Sequence, residues 1–375
     1  MRKSYIDNIR TICVLILFPY HTFMIYNSFG EDFYVKGTDL PFTFPVIATI
    51  WPWIMPLMFL LAGISSAYSL KTRTLREYLK ERVLRLLIPF ISGLLLLVPI
   101  QTYFAEKFHN NYSGTYFAQY ILFFTKPTDL SGYSGGFTPA HLWFILYLFL
   151  ISLVSIPVFY LVAKRNSGKE SKAGRMPLAV LLLFFIVPVF SQMILDISGK
   201  SFGEYLTYFL FGFFLISDET VQEKLQKHRF LLLGLSLPLI CLYSLFGFRI
   251  EKYSLILYEL LYAFYAWSFS LAVVGMGKQY LNYNNGLSRY LSAASFSVYT
   301  IHQQWIVVIG FFVLAGIRSI PLQIILIILL SIFLTLLTYE IFKRISLTRI
   351  LFGIKKSSLK SIDVQSEDTT KLAEK

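Results

Sequence analysis

Ten apolar stretches, most of them about the length of a bilayer-spanning helix, leave this chain few ways to fold. They cover approximately residues 8–28, 45–70, 84–105, 141–163, 177–196, 203–217, 230–248, 254–276, 292–315 and 320–342. Crossing the hydrocarbon core takes about 20 mostly apolar residues. In that medium each backbone polar group must be satisfied within the segment, which selects helices. The sixth stretch is short and is the weakest of the ten. The expected fold is all-α, a polytopic membrane bundle of about ten transmembrane helices. Composition agrees, since 56% of the 375 residues are hydrophobic and 15% are charged, against roughly 25% charged in a soluble domain. Almost no length remains for a separate soluble domain.

The basic residues give the expected orientation. With the N-terminus inside, Lys36, Lys107, Lys126, Lys200, Arg249, Lys252 and Arg318 are the seven of 34 lysines and arginines left outside. Positive charge retained on the cytoplasmic side is the usual bias of multi-span proteins, so both termini are expected in the cytoplasm of a multi-pass cell-membrane protein. The formal charge of +13 follows from that distribution and not from a nucleic-acid partner; the partner it implies is the lipid bilayer. Residues 1–355 read as one transmembrane domain, and 356–375 as a polar disordered tail. Asp7 and Arg10 interrupt what would otherwise pass for a leader, and no small-residue cleavage site follows, so no cleavable signal is expected. Cys13 and Cys241 both fall in apolar stretches, where small buried hydrophobes and not a disulfide are expected.

Two outer connections are long. Residues 29–44 carry Glu31, Asp32, Lys36 and Asp39. Residues 106–140 are aromatic and polar, with Gly135 and Gly136 among them. A loop of that length is a lid or a loosely ordered connection, and 116–124 is apolar enough to lie on the membrane surface.

Ionisable groups at membrane depth are costly and mark functional sites by default. The first stretch holds two, Arg10 and His21. Eleven residues of helix make roughly three turns and about 16 Å, so both point the same way, with Arg10 at the inner surface and His21 a little past mid-membrane. Asp7 lies one turn before Arg10 on nearly the same face. His302 lies at a comparable depth in the ninth stretch, where Ser295, Tyr299 and His302 follow the i, i+4, i+7 spacing of one polar face. His21 and His302 therefore read either as lining one cavity, with neutral imidazole as a general base, or as hydrogen-bonding groups between helices. Arg82 and Arg85 are one turn apart, and both are placed to address one anionic group such as phosphate; the alternative is a positive-inside anchor. His141 suits capping or loop tethering, and Trp143 an interfacial anchor. Glu340, near the inner end of the last stretch, suits an ion pair with a cytoplasmic-side arginine. The histidines are scattered and the cysteines isolated, so no metal site is expected, and no phosphate-binding or dinucleotide loop occurs.

Cationic groups at the inner surface and a base about 16 Å deeper suit a phosphorylated carrier with a long thin arm. The phosphopantetheine arm of coenzyme A has such reach, and would present an acyl thioester across the membrane to a hydroxyl on the far side.

The sequence resembles the acyltransferase-3 family of multi-span membrane O-acyltransferases. The resemblance lies in Arg10 and His21 within residues 5–10 and 18–21, in Arg82 to Arg85, in Gly135 and Gly136 followed by His141 to Phe144, and in 295–302. Within the family it is most similar to the branch that succinylates osmoregulated periplasmic glucans, which tends to carry two adjacent histidines and a proline where this chain has His302, Gln303 and Gln304. The resemblance implies transfer of an acetyl or succinyl group from cytoplasmic acyl-CoA, a donor substrate and not a resident cofactor, to an extracytoplasmic carbohydrate hydroxyl. It implies His21 as the catalytic histidine, His302 as a second candidate, and Arg10, Arg82 and Arg85 in donor binding or helix contacts, with Asp7, His141, Trp143, Tyr299 and Glu340 supporting. No fused esterase domain of the SGNH type is expected, so the chain completes transfer alone, as a homo-oligomer or with an envelope-biosynthesis partner. The rival readings are a transporter or exporter with Arg10 and His21 along its path, and a non-catalytic scaffold.

Overall fold

The computed structural model describes residues 3–30, 32–165 and 173–355. Arg2, Glu31, Lys169, Lys172 and the 356–375 tail lie outside the described residues. The two cysteines are unpaired, Cys13 buried and Cys241 exposed. Among the described residues the chain is helical, with one isolated bridge between Asp196 and Ser201.

Seven helices are long and apolar enough to cross a membrane: Ser4–Ile25, Thr43–Leu70, Leu75–Asn110, Arg229–Gly247, Leu255–Tyr280, Gly286–Gly316 and Ile320–Arg344. Three shorter apolar helices, Ala140–Val154, Leu178–Ser191 and Phe202–Ile216, fall on the fourth to sixth stretches of the sequence. Two of these stretches are not continuous helices. The fourth breaks at Ser155, before Ile156–Arg165, and the fifth is interrupted at Phe184 and Phe185. Pro157 and Pro188 follow closely, and each lacks the N–H that would continue the ladder.

The third helix is longer than its apolar stretch. It begins on the solvent side with a capping box, Thr74 accepting from the Glu77 backbone and Glu77 from that of Thr74. A π turn over Val83–Leu87 follows, closed by Ile88 N–H on the Val83 carbonyl, then two further segments that carry it to Asn110. Pro89 cannot donate to the Arg85 carbonyl, which is consistent with a widened turn there.

The last helix displays the inverted pattern of a membrane protein. Gln323, Ile327, Ser331, Thr335 and Tyr339, spaced four apart, are its buried residues, while Leu329 and Phe333 are about 60% exposed. Apolar surface faces outward because lipid offers no penalty for it, and small or polar side chains face the neighbouring helices. Elsewhere the backbones touch. A Cβ on Gly63 would lie 2.0 Å from the Phe209 carbonyl oxygen, and one on Gly212 would lie 2.0 Å from that of Leu60. These two glycines seat Phe202–Ile216 against the second helix.

One end of the bundle is tied by charge. Glu219 accepts from Lys3 and from Lys278, each at 2.6 Å, which brings the starts of Ser4–Ile25 and Glu219–Lys227 to the end of Leu255–Tyr280. The opposite end is closed by the two long connections. Phe33, Tyr34 and Val35 of the first are buried, and Tyr34 meets Tyr133 of the second edge-on. The second connection contains the helix Tyr116–Thr125, which buries Gln119 and Phe123 and exposes Phe117 and Ile121, as a helix lying on a membrane surface would.

Candidate active site

Three histidines from three separate segments meet beneath the long connections. His21 comes from the first helix, His302 from Gly286–Gly316, and His141 from a single 3₁₀ turn, Ala140–Leu142, that opens the fourth stretch. The rings of His21 and His302 lie 5.3 Å apart, and those of His141 and His302 lie 5.1 Å apart. Two of the three are held by backbone. His302 Nδ1 is 2.6 Å from the Tyr299 carbonyl oxygen, and His141 Nε2 is 3.0 Å from that of Thr300. A carbonyl only accepts, so Nδ1 of His302 and Nε2 of His141 carry the protons in the neutral rings. The other nitrogens, His302 Nε2 and His141 Nδ1, keep lone pairs and are buried without a hydrogen-bond partner. His302 itself is fully buried.

His21 is partly exposed and is positioned by rings instead of hydrogen bonds. Phe33 stacks on it at 6.0 Å, Tyr20 meets it edge-on, and its Nδ1 is enclosed without a partner. Phe33 is fixed in turn by His109, whose Nε2 is 2.7 Å from the Phe33 carbonyl oxygen. Sequence reading missed His109 and Phe33, because both lie outside the apolar stretches where an ionisable residue stands out. His141 is tied to Gly286–Gly316, since Tyr299 Oη donates to its carbonyl. The structure also brings its ring into the histidine cluster.

The arginines assemble at the other end of the first helix. Arg10 donates to Asp7 at 3.1 Å and to Ser65 Oγ at 2.9 Å. Arg82 donates to Ser66 Oγ at 2.9 Å and lies 4.5 Å over the ring of Tyr78, whose hydroxyl also donates to Ser66. Arg10 and Arg82 therefore converge on adjacent serines of the second helix. Arg85 departs from the expected arrangement. It pairs with Glu81 at 3.1 Å, and Glu81 also holds Arg73. The π turn begins between the two arginines, and they do not address one common group. Ser65 and Ser66 gave no sequence signal, being ordinary small residues at the end of an apolar stretch.

One further expectation is corrected. Glu340 pairs with Lys343 at 3.1 Å, not with an arginine; the lysine one turn away on the same helix is the nearer cation. Trp143 is partly buried among Phe59, Tyr147 and Tyr205, with Lys200 above its ring. Tyr147 comes from Trp143's own helix, and Phe59 and Tyr205 come from two others. Among the described residues no three His, Cys, Asp or Glu side chains are arranged so that they could hold a metal ion.

A family model described as an acyltransferase domain (acyltransferase-3) matches residues 3–340. Proteins named glucans biosynthesis protein C from Salmonella heidelberg, Salmonella schwarzengrund and Salmonella typhi are each 24% identical over 386 residues, covering 94% of this chain and 95% of the relative. No solved structure matches.

Proposed function

The chain belongs to the acyltransferase-3 family, and from that premise we propose that it moves an acyl group, acetyl or succinyl, from cytoplasmic acyl-CoA to a hydroxyl of an extracytoplasmic glycan. In this reading it crosses the cell membrane ten times, residues 1–355 form one domain, and both termini, including the 356–375 tail, are cytoplasmic. The three shorter apolar helices and the seven outer basic residues support that count and orientation. The arginine end then faces the cytoplasm, and the histidine cluster lies toward the outside. The names of the relatives support a glucan-type acceptor.

One observation carries the proposal. A single helix holds Arg10 at the arginine end and His21, about 16 Å further along, within 5.3 Å of His302. Arg10 and Arg82 bind the phosphates of the donor, and its extended arm delivers the thioester to the histidines. His21 removes the proton from the acceptor hydroxyl as its oxygen attacks the thioester carbonyl. The C–S bond breaks, the acyl group passes to the sugar oxygen, and the proton leaves with the CoA thiolate as CoA thiol. His302 positions the acceptor or stabilises the oxyanion.

The test is free-thiol release from acetyl-CoA or succinyl-CoA by protein in nanodiscs, with and without a neutral glucan oligosaccharide. Acceptor-dependent release of CoA is the expected result, and a transporter would give none. A positioned base contributes about 10²–10⁴-fold, so His21→Ala should lose transfer by that order while remaining inserted. Near-normal transfer by folded His21→Ala protein sinks the assignment. A second assignment rests on the Tyr299 carbonyl, which leaves His302 Nε2 as an oriented lone pair. If His302→Ala shows the loss and His21→Ala does not, His302 is the base.

A further inference from the structure

A cavity of about 430 Å³ opens at the loop end of the bundle, lined by Asp32, His109, Asn110, Asp129, Ser131, Tyr133 and Ser134. One residue separates it from His21. Phe33, next to Asp32, stacks on the His21 ring and meets Tyr133 at 6.2 Å, and its carbonyl is held by the lining residue His109. Beside the Tyr133 ring, the lining residues carry carboxylates, an amide, an imidazole and hydroxyls, which match sugar hydroxyls as donors and acceptors. Among the described residues no lysine or arginine lines it, in a chain whose formal charge is +13.

The walls are built. Glu106, 4% exposed, accepts from Asn110 at 2.9 Å and from Lys126 behind the lining. Gly135 has φ +81°, and a Cβ there would lie 2.1 Å from Glu106 Cγ, so only glycine fits the turn that brings Tyr133 into place. Asp129 is fixed by Ser131, whose backbone N–H and hydroxyl donate to it at 2.9 and 2.7 Å. Thr138 closes the same loop by donating to the Leu130 carbonyl.

We propose that this cavity is the acceptor subsite, and that it takes a neutral polyhydroxylated chain: Tyr133 offers a platform for a sugar ring, Asp32 and Asp129 accept from its hydroxyls, and the sugar held there, walled from His21 by Phe33, is a flanking unit of the chain whose reacting unit reaches His21. The two carboxylates, with no cation in the lining, set the specificity against acceptors bearing carboxylate or phosphate. The inference rests on the acyl-transfer reading for its orientation and its reaction, and binding alone tests it separately.

Calorimetry on His21→Ala protein in nanodiscs, titrated with a neutral glucan oligosaccharide and with an oligomer of glucuronic acid, reads the subsite without turnover. The neutral chain should bind and the anionic one should bind at least tenfold more weakly. Asp32→Asn, Asp129→Asn and Tyr133→Ala should each weaken the neutral chain several-fold, and the double Asp→Asn variant should narrow the preference between the two ligands. Both aspartates are exposed, so their variants test binding even if Tyr133→Ala misfolds. Absence of binding by the neutral chain, an equal Kd across the variants, or tighter binding of the anionic chain overturns the inference. In the transferring protein the same variants should raise acceptor KM and leave acyl-CoA KM unchanged. Binding that follows this pattern in a protein that never releases CoA would overturn the acyl-transfer reading and leave the subsite standing.

Discussion

The hydrogen bond from His302 Nδ1 to the Tyr299 carbonyl does at residue scale what composition cannot express, because it decides which nitrogen carries the lone pair. Arg82 is fixed as strictly. Its guanidinium donates to Ser66 and lies over Tyr78 at once, a combination of planar fork and ring stacking that a lysine ammonium does not reproduce. Arg82→Lys is therefore expected to raise acyl-CoA KM several-fold, nearly as far as Arg82→Ala, with Ser66→Ala smaller than either. Donor titrations under saturating acceptor read this. If acyl-CoA KM is the same in all three variants, Arg82 is a tie between helices and no more. Gly135→Ala combines a positive φ with a Cβ against Glu106, and strain of this kind costs about 1–3 kcal/mol. Faster proteolysis of the 126–139 loop is the expected outcome, and wild-type resistance would count against it.

At the scale of elements, packing in lipid depends on close approach and not on expulsion of water. The reciprocal contacts of Gly63 and Gly212 with the backbone carbonyls of Phe209 and Leu60 are the clearest case. Gly212→Val must separate the second helix from Phe202–Ile216, so the purified variant is expected to lose its monodisperse peak or most of its thermal stability. Leu329→Ala on the exposed face of the last helix serves as the contrast, since a surface substitution usually stays within about 0.5 kcal/mol. Equal stability of the two variants would mean that the glycine contact is not limiting. The π turn at Val83–Leu87 is the other decisive element. It sends Arg82 to the second helix and leaves Arg85 with Glu81, whereas straight-helix spacing had placed both toward one group.

For the whole molecule, the ties of Glu219 to Lys3 and Lys278 and of Arg10 and Arg82 to Ser65 and Ser66 gather one end of the bundle. His109, Phe33 and Tyr133 gather the other. A topology with a cytoplasmic arginine end predicts that, in a Cys241→Ser background, Ser113→Cys reacts with a membrane-impermeant maleimide on intact cells, and Asn284→Cys only after permeabilisation. The reverse pattern would invert the proposed direction of transfer. The sequence by itself determined the membrane class, the approximate position of nearly every apolar helix, and the placing of Arg10 and His21 on one helix face, because hydropathy and helical period are properties of neighbours along the chain. It blurred the breaks at Ser155 and at Phe184, where the apolar signal runs on through a change of direction. Only the tertiary structure set His141 against Thr300, 159 residues away in sequence, joined Arg10 to Arg82 through adjacent serines, and laid Phe33 over His21. Those contacts depend on which faces of distant helices meet. That choice is made by interhelical packing and hydrogen bonding between segments whose local patterns are equally apolar.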